Sequence, residues 1–316
     1  MKKKVLSLFV TFAMLFSMLP ATALAAGETV AKIGETTYST FSDAMTAANA
    51  MTGDVVVDIY GEVEFTNGME LNGSYSSITF NKGADGASIT INQTAGGDYL
   101  EAHGKTVAFN NLTLAKANPA WAGNSGHMGN YFSIQGGTVT YTNCTFPNGA
   151  CTSTGTATYD NCTFQNTSEY GLWVYDDALV TVKGGTINSA KGIKVYSEDE
   201  TSVTSTLTVQ NTTFTNNVIA KPAVAVGYAR SITLIGNTYN NSTGVLELDS
   251  GSDADCEGIT FVAKDSEGND IGSTLTAVDR SNGGAACGVL MDGKIYTTVT
   301  EAVKDAKSGD TVTLLA

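Results

Sequence analysis

The sequence predicts an all-β protein, a right-handed parallel β-helix (solenoid) with short capping helices, and three observations favour this fold class. A heptapeptide, "TYTNCTF" at residues 140–146, recurs almost unchanged as "TYDNCTF" at residues 158–164. Related motifs are spaced 18 to 32 residues apart, most of them with a second short alternating strand in between. A helix–turn–strand pattern is present near each end of the chain. Repeats of this size bury a continuous core only when successive coils stack.

Residues 1–25 have the composition of a secretory signal peptide. The basic start "MKKK" precedes an apolar run that ends at Pro20, and "ALA" at residues 23–25 is a small-residue cleavage signal. The alternative is an uncleaved membrane anchor. No later segment is long and apolar enough to predict a transmembrane helix. We therefore expect a secreted, extracellular protein of a bacterial cell surface, with no membrane insertion once the peptide has been cleaved.

The N-terminal cap is predicted at residues 26–62, as a helix followed by an entering strand. Thr40 with Asp43 has the spacing of a helix N-cap. The apolar residues of the helix then fall at positions i, i+3, i+4 and i+7, namely Phe41, Ala44, Met45 and Ala48. A Gly-Asp turn at residues 53–54 leads into the strand. A helix laid over the first coil covers the open end of the core.

Residues 63–283 are predicted to form the β-helix coils. Each motif alternates apolar and polar residues, passes a turn rich in Asn and Gly, and ends with Thr and a large apolar residue. We expect the last residue of each motif in the core: Leu114, Phe146, Phe164, Ile187, Phe214, Tyr239 and Phe261. Asparagine tolerates bend geometry and can hydrogen-bond to its equivalents along the stack. The predicted bend residues are Asn111, Asn143, Asn161 and Asn211.

Cys144 and Cys162 occupy the same repeat position in neighbouring coils. No Cys-x-x-Cys motif or paired histidine accompanies them, which argues against a zinc site. Stacked coils would bring their Cα atoms to roughly 4.8 Å, which is within disulfide range. A Cys144–Cys162 disulfide is therefore one interpretation, and two stacked free thiols are the other.

Residues 284–316 contain a second cap-like motif. Thr298 with Glu301 repeats the N-cap spacing, and a Gly-Asp turn follows at residues 309–310. Two interpretations stay open. Either the motif starts a further repeat domain, so that the chain is the first segment of a longer protein, or residues 289–316 close this β-helix.

The pattern Y-x-T-(F/V)-x-(D/E)-A…G-D-x-V, followed by N-x-T-F coils, resembles the pectate-lyase-like parallel β-helix repeats of secreted bacterial cell-surface proteins. The resemblance covers nearly the whole mature chain and implies the fold. It does not imply one activity, because the superfamily contains lyases, hydrolases and non-catalytic binding proteins. The Asp-His and Gly-His-Gly motifs of β-helix polygalacturonases are absent from the sequence, as is an Arg-rich lyase cleft, so no catalytic residue is carried over.

The charge of the chain excludes some partners. The formal net charge of −14 becomes about −17 when the signal peptide is removed, because three lysines and no acid are lost. Arginine occurs only at Arg230 and Arg280, and phosphate binding needs clustered basic residues. We expect no nucleic-acid partner, and an acidic polysaccharide only if calcium bridges the charges. The expected partner is a polysaccharide or a host extracellular-matrix surface, bound by a monomer or by part of a longer chain.

The second strands predict two outward-facing columns if Leu172, Ile193, Val224 and Leu246 point inward. The first column contains Trp173, Lys194, Ala225 and Glu247, and the second contains Tyr175, Tyr196, Gly227 and Asp249. Aromatic rings pack on the apolar faces of sugars, and carboxylates hold hydroxyl groups. The candidate glycan-binding residues are therefore Trp173, Tyr175, Lys194, Tyr196, Glu247 and Asp249. The alternative is a solvated surface with ordinary exposed aromatics, and a one-residue slip would reverse the columns.

The acidic stretch at residues 249–258 is the candidate calcium site, through Asp249, Asp253 and Asp255. Its Gly and Glu do not match an EF-hand loop, and a solvated turn is the alternative. No other cofactor is expected.

These observations favour a non-catalytic surface module that binds glycan or host matrix, or acts as an adhesin or spacer. The alternative is a polysaccharide lyase or glycoside hydrolase on the outer face of the helix, for which Lys194 and Arg230 are the candidate bases. The sequence identifies no catalytic residue for this alternative.

Overall fold

The computed structural model describes residues 28–93, 99–117, 130–197, 204–215, 222–240, 246–248, 258–271, 277–278, 288–296 and 298–315. It confirms the predicted fold class, because stacked parallel strands form a β-solenoid of about seven turns. The strands belong to three walls that enclose one core. In the described part of the chain, no helix is long and apolar enough to cross a membrane.

The first wall is a parallel ladder of strands from successive coils. Its strands are β3 (Gly53–Ile59), β5 (Tyr75–Lys82), β8 (Thr106–Asn110), β11 (Gly137–Thr142), β14 (Gly155–Asp160), β16 (Leu179–Lys183), β18 (Thr206–Gln210), β21 (Ser231–Ile235) and β24 (Thr260–Lys264). Equivalent side chains form columns, so Phe80, Phe109, Tyr141 and Tyr159 are in register. Their adjacent rings stack at centroid distances of 5.1, 5.4 and 4.7 Å, which match the spacing of neighbouring strands.

The second wall contains the Thr-plus-apolar end of each motif. Its strands are β4 (Glu62–Thr66), β6 (Ser88–Asn92), β9 (Thr113–Lys116), β12 (Thr145–Phe146), the first part of β15 (Thr163–Tyr175) and of β17 (Thr186–Tyr196), β19 (Thr213–Thr215) and β22 (Thr238–Asn240). The predicted core residues of this wall are buried from Leu114 to Phe214, whereas Tyr239 is half-buried. Phe261 is also buried, but it lies in β24 of the first wall, in register with Ile232. The prediction that Phe261 ends a motif like Phe214 is therefore wrong, whereas its burial in the core is confirmed.

The third wall contains the second, quieter strands of the repeat. They are β7 (Leu100–Glu101), β10 (Phe132–Gln135), β13 (Ala150–Thr152), the later parts of β15 and β17, β20 (Val224–Val226), β23 (Leu246–Leu248) and β25 (Ala277–Val278). Strand β15 passes from the second wall to the third through a register shift between Asn166 and Tyr170. The Asn166 side chain accepts from the backbone N–H groups of Ser168 and Glu169 at 3.1 and 3.0 Å, which stabilises the corner.

The predicted bend asparagines have the backbone that the sequence suggested. Asn111, Asn143, Asn161 and Asn211 have φ values between 52° and 59°, the left-handed region that Asn tolerates better than most residues. Asn161 Nδ2 donates to Asn143 Oδ1 at 2.8 Å, and Asn143 Nδ2 donates to Asn111 Oδ1 at 3.2 Å. The asparagine ladder is confirmed for these three coils.

The N-terminal unit is a hairpin, a helix and a strand. Strand β1 (Ala31–Ile33) pairs antiparallel with β2 (Thr36–Tyr38) and with β3, and α1 spans Phe41–Ala50. The Thr40 hydroxyl accepts from the Asp43 N–H at 3.2 Å, so the predicted N-cap is confirmed. The four predicted apolar residues of the helix are buried. The hairpin was not predicted, because strands of three residues are too short to show the alternation of apolar and polar residues that identifies a strand.

The C-terminal unit has the same architecture. Strand β26 (Gly288–Met291) pairs antiparallel with β27 (Lys294–Tyr296) and with β28 (Val312–Leu315), and α2 spans Val299–Asp305. Thr298 caps α2 by accepting from the Glu301 N–H at 3.2 Å, as predicted. Strand β27 also pairs antiparallel with β24, and Ile295 is buried in the main core.

Cys144 and Cys162 are stacked free thiols, so the disulfide interpretation is not supported. Each side chain is buried, and each Sγ donates to a backbone carbonyl of the preceding coil, that of Phe109 or of Tyr141, at 3.4 Å. The contact between the two thiols lowers the pKa of Cys144, and the same contact, together with burial, raises the pKa of Cys162.

Candidate functional site

The strongest candidate site lies on the outer face of the third wall. Leu172, Ile193, Val224 and Leu246 are in register and buried, which confirms the inward column. Trp173, Lys194, Ala225 and Glu247 pair in the outward register, as predicted. Tyr175 is paired with Tyr196 in the next column. No one-residue slip has occurred, because the inward residues are the apolar ones.

The outward residues are less exposed than the sequence suggested. Tyr175 is 4% exposed and Lys194 is 6% exposed, while Trp173 and Tyr196 are half-buried. Tyr175 belongs to a small apolar cluster with Tyr131 and Cys151 that is separate from the main core. The prediction of an open aromatic column is therefore wrong for Tyr175 and Lys194, because large neighbouring rings pack over them.

Six aromatic residues form this surface, and we call them the aromatic flank: Tyr131, Tyr170, Trp173, Tyr175, Tyr196 and Tyr228. Tyr131 and Tyr175 form its buried floor, and the other four rings are half-buried. Tyr131 and Tyr170 lie 6.3 and 5.6 Å from Trp173, measured between ring centroids. Tyr131 and Tyr170 lie outside the two columns that the strand alternation predicts, so the sequence pattern does not identify them.

The flank continues along the axis of the solenoid. Trp173 is 6.4 Å from Tyr175, which stacks on Tyr196 at 6.0 Å with an interplanar angle of 22°. The Tyr196 ring meets Tyr228 edge-on at 6.0 Å. These contacts cross three successive coils, so the rings form a row rather than an isolated pair.

Gly227 is required for the position of the Tyr196 ring. A Cβ atom at Gly227 would lie 2.5 Å from Tyr196 Cδ2, which is closer than real contacts allow. The Gly227 N–H donates to the Val195 carbonyl at 2.7 Å. The missing side chain thus lets Tyr196 lie across the backbone of the next coil.

Two lysines bring positive charge to the flank. The Lys194 ammonium lies 5.8 Å from the centroid of the Tyr196 ring, within the range of a cation–π contact. The Lys191 ammonium lies 5.1 Å from the Tyr170 ring and forms an ion pair with Glu169 Oε2 at 2.7 Å. Because Glu169 is occupied by Lys191, this part of the flank presents a neutral polar edge beside the rings.

The floor of the flank is not reactive at neutral pH. Burial raises the pKa of the Cys151 thiol to about 12 and raises the pKa of Tyr131 further above its usual value. A thiolate is the nucleophilic form of cysteine. Cys151 is therefore protonated and acts as a small packing residue under Trp173, with which it is paired in register.

No protein-family model, curated protein or solved structure matches this chain. The fold assignment consequently depends on the strand register described above. The resemblance to pectate-lyase-like proteins stays at the level of a β-solenoid.

Some predicted site residues lie outside what the structure describes. The backbone of Glu247 is in β23, but its side chain is outside the described part. Asp249, Asp253 and Asp255, the calcium candidates, also lie outside the described residues. Within the described ranges, no group of three or more His, Cys, Asp or Glu residues is arranged to hold a metal ion.

One polar cluster that no sequence motif predicts contains His103 and two glutamates. His103 Nε2 lies 3.8 Å from Glu70 Oε2, and His103 Nδ1 lies 3.7 Å from Glu101 Oε1. Asn72 Nδ2 also donates to Glu70 at 2.6 Å. No short motif links these residues, because Glu70 belongs to a different coil from Glu101 and His103. Glu101 is two residues from His103 in its own coil, and the stacking of coils brings Glu70 to the same imidazole.

Proposed function

We propose that the chain is a secreted, non-catalytic module of a bacterial cell surface that binds a polysaccharide along the aromatic flank. The observation that supports this proposal is the row of half-buried rings Tyr170, Trp173, Tyr196 and Tyr228, in which the buried Tyr175 ring connects Trp173 to Tyr196. Its rings are half-buried, so they are held by their neighbours yet offer a surface to a ligand. Rigid rings contribute contact area at little cost in side-chain entropy.

The direction of the row suits a polymer. Adjacent coils are about 4.8 Å apart, so rings on successive coils offer contacts at regular intervals along the solenoid axis. Tyrosine hydroxyls and the Glu169–Lys191 edge supply hydrogen-bonding groups for sugar hydroxyls. The net charge of −14 disfavours a polyanion, so the proposed ligand is a neutral or cationic polysaccharide, from the cell wall or from the host matrix.

The test is a glycan array probed with the purified mature chain (residues 26–316), with and without calcium. We expect the chain to bind a neutral or amino-sugar polymer. Tyr228→Ala should weaken this binding about tenfold, because a tenfold change in an equilibrium constant is roughly 1.4 kcal/mol, which is the size of one aromatic contact. Tyr60→Ala is the matched control, because Tyr60 is a 36% exposed tyrosine in another part of the solenoid.

Circular dichroism and the thermal midpoint show whether each variant keeps its fold. Binding that is equally strong in the Tyr228 and Tyr60 variants would exclude the flank as the site. Absence of binding in every condition would count against glycan recognition and favour a spacer. Binding that requires calcium would shift attention to Asp249, Asp253 and Asp255.

A polysaccharide-degrading enzyme is the second candidate. The specific observation in its favour is the imidazole of His103 between Glu70 and Glu101, because paired carboxylates and histidine are the usual acid–base groups. Reducing-end assays on the array ligands test it. Turnover that is lost in Glu101→Gln and kept in Glu35→Gln, an exposed carboxylate of the N-terminal unit, would favour the enzyme over the binding module.

A further inference from the structure

The two terminal units have the same topology and the same hydrogen-bond register. In the first, Ala31 pairs with Tyr38 on one side and Ile59 on the other. In the second, Val289 pairs with Tyr296 and Leu314. Leu314 therefore occupies the position of Ile59. The two N-caps, Thr40 and Thr298, align the helices in the same way.

In the first unit, a β-helix coil covers the apolar face. Strand β5 adds in parallel to β3, with Val55 opposite Ile78 and Val57 opposite Phe80. The Phe41 ring of α1 meets the Phe65 ring of β4 edge-on at 5.0 Å. Phe41 is 6% exposed, Met45 is 2% exposed and Ile59 is fully buried.

In the second unit, the equivalent face is open. Val299 takes the place of Phe41 and is 46% exposed, Val303 takes the place of Met45 and is 58% exposed, and Leu314 is 62% exposed. Ala302, which takes the place of Ala44, is buried within the unit. Strand β28 ends its sheet among the described residues, with β26 as its neighbour. It thus offers a strand edge beside the three exposed apolar side chains.

The edge of each unit opposite to this face is formed by the second strand of its hairpin, β2 in the first unit and β27 in the second. In the second unit, β27 pairs antiparallel with β24, and Ile295 fills the end of the solenoid core. The equivalent strand of the first unit, β2, ends its sheet in the described part of the chain. The hairpin–helix–strand unit therefore has two edges that can pair with solenoid strands. One edge, at β27, pairs with the last strand of a preceding solenoid, and the other, at β3 in the first unit, pairs with the first strand of a following solenoid.

We propose that the face formed by Val299, Val303, Leu314 and the β28 edge binds a parallel β-helix coil joined to the carboxyl end of the unit, as β4 and β5 are joined to the first unit. The coil would add a parallel strand to β28 and place large apolar side chains over α2. The unit is then a joint that ends one solenoid and starts another.

The test uses the full chain with residues 62–116 appended directly after Ala316. This junction follows from the register, because Leu314 corresponds to Ile59, so that Ala316 corresponds to Gly61. Hydrogen–deuterium exchange of the amides of β28 is the readout. We expect exchange at least tenfold slower than in the unextended chain. The matched control carries the same extension with Asp in place of the appended Phe65 and Phe80, and we expect it to exchange like the unextended chain.

Equal exchange in the extension and its control would overturn the proposal, and so would an appended coil that remains unfolded. Light scattering on the unextended chain distinguishes the other occupant of the face. A dimer that becomes a monomer in Val303→Asp would show that a second copy, and not a coil in cis, covers it. These outcomes do not depend on glycan binding.

Discussion

At the scale of single residues, the bend of each coil depends on the left-handed backbone of asparagine. We expect Asn161→Ala to lower the free energy of unfolding by about 1–3 kcal/mol. Alanine tolerates the left-handed backbone at φ 52° less well than asparagine does, and the substitution removes the hydrogen bond to Asn143. Asn161→Gly should cost less, since glycine adopts this backbone freely. Urea denaturation midpoints measure both. A glycine variant that is less stable than the alanine variant would contradict the conformational explanation.

The stacked thiols lead to a second prediction for single residues. Cys144 and Cys162 are 1% and 0% exposed, so iodoacetamide at neutral pH should leave both unmodified in the folded protein and alkylate both after unfolding. Mass spectrometry of the 144- and 162-containing peptides provides the measurement. A peptide pair linked by a disulfide in the protein purified without reductant would contradict the free-thiol structure.

At the scale of elements, two helices with the same cap differ in what they cover. Thr40→Ala should lower the free energy of unfolding by about 1 kcal/mol, because the cap of α1 holds Phe41 and Met45 over the core. Thr298→Ala is the matched control, since α2 buries only Ala302 among its described residues. We expect the control to leave the main thermal transition unchanged. Equal losses would show that α2 also belongs to the main cooperative unit.

Sequence patterns predicted the helix cap and the strand faces correctly, but they did not predict how deeply the outward side chains are buried. The Thr40–Asp43 spacing identified the cap, and the alternation around Leu172 identified the inward face, because both are local properties of the backbone. The burial of Lys194 and Tyr175 was not predicted. It depends on rings from neighbouring coils, whose positions a local period does not describe.

At the scale of the whole molecule, the solenoid should respond to damage locally. A Cβ atom at Gly192 would lie 1.9 Å from the Ala223 carbonyl oxygen of the next coil. Gly192→Ala should therefore separate β17 from β20 and raise hydrogen exchange in these strands, while β3 and β5 keep their protection, because each coil contacts only its neighbours. Gly61→Ala is the control, since no atom lies within 4 Å of its added Cβ. Loss of protection along the entire solenoid would contradict this picture.

The sequence by itself determined the coil, the bend and the cap. The Asn-x-Thr repeats, the period-two strands and the Thr-x-x-acid caps are each set by interactions within a few residues, so they can be read without a structure. The tertiary structure alone decided the free state of Cys144 and Cys162, the half-buried aromatic flank, the approach of Glu70 to His103 and the open face of Val303. Each of these depends on which side chains meet when coils stack, and that contact joins residues far apart in the chain.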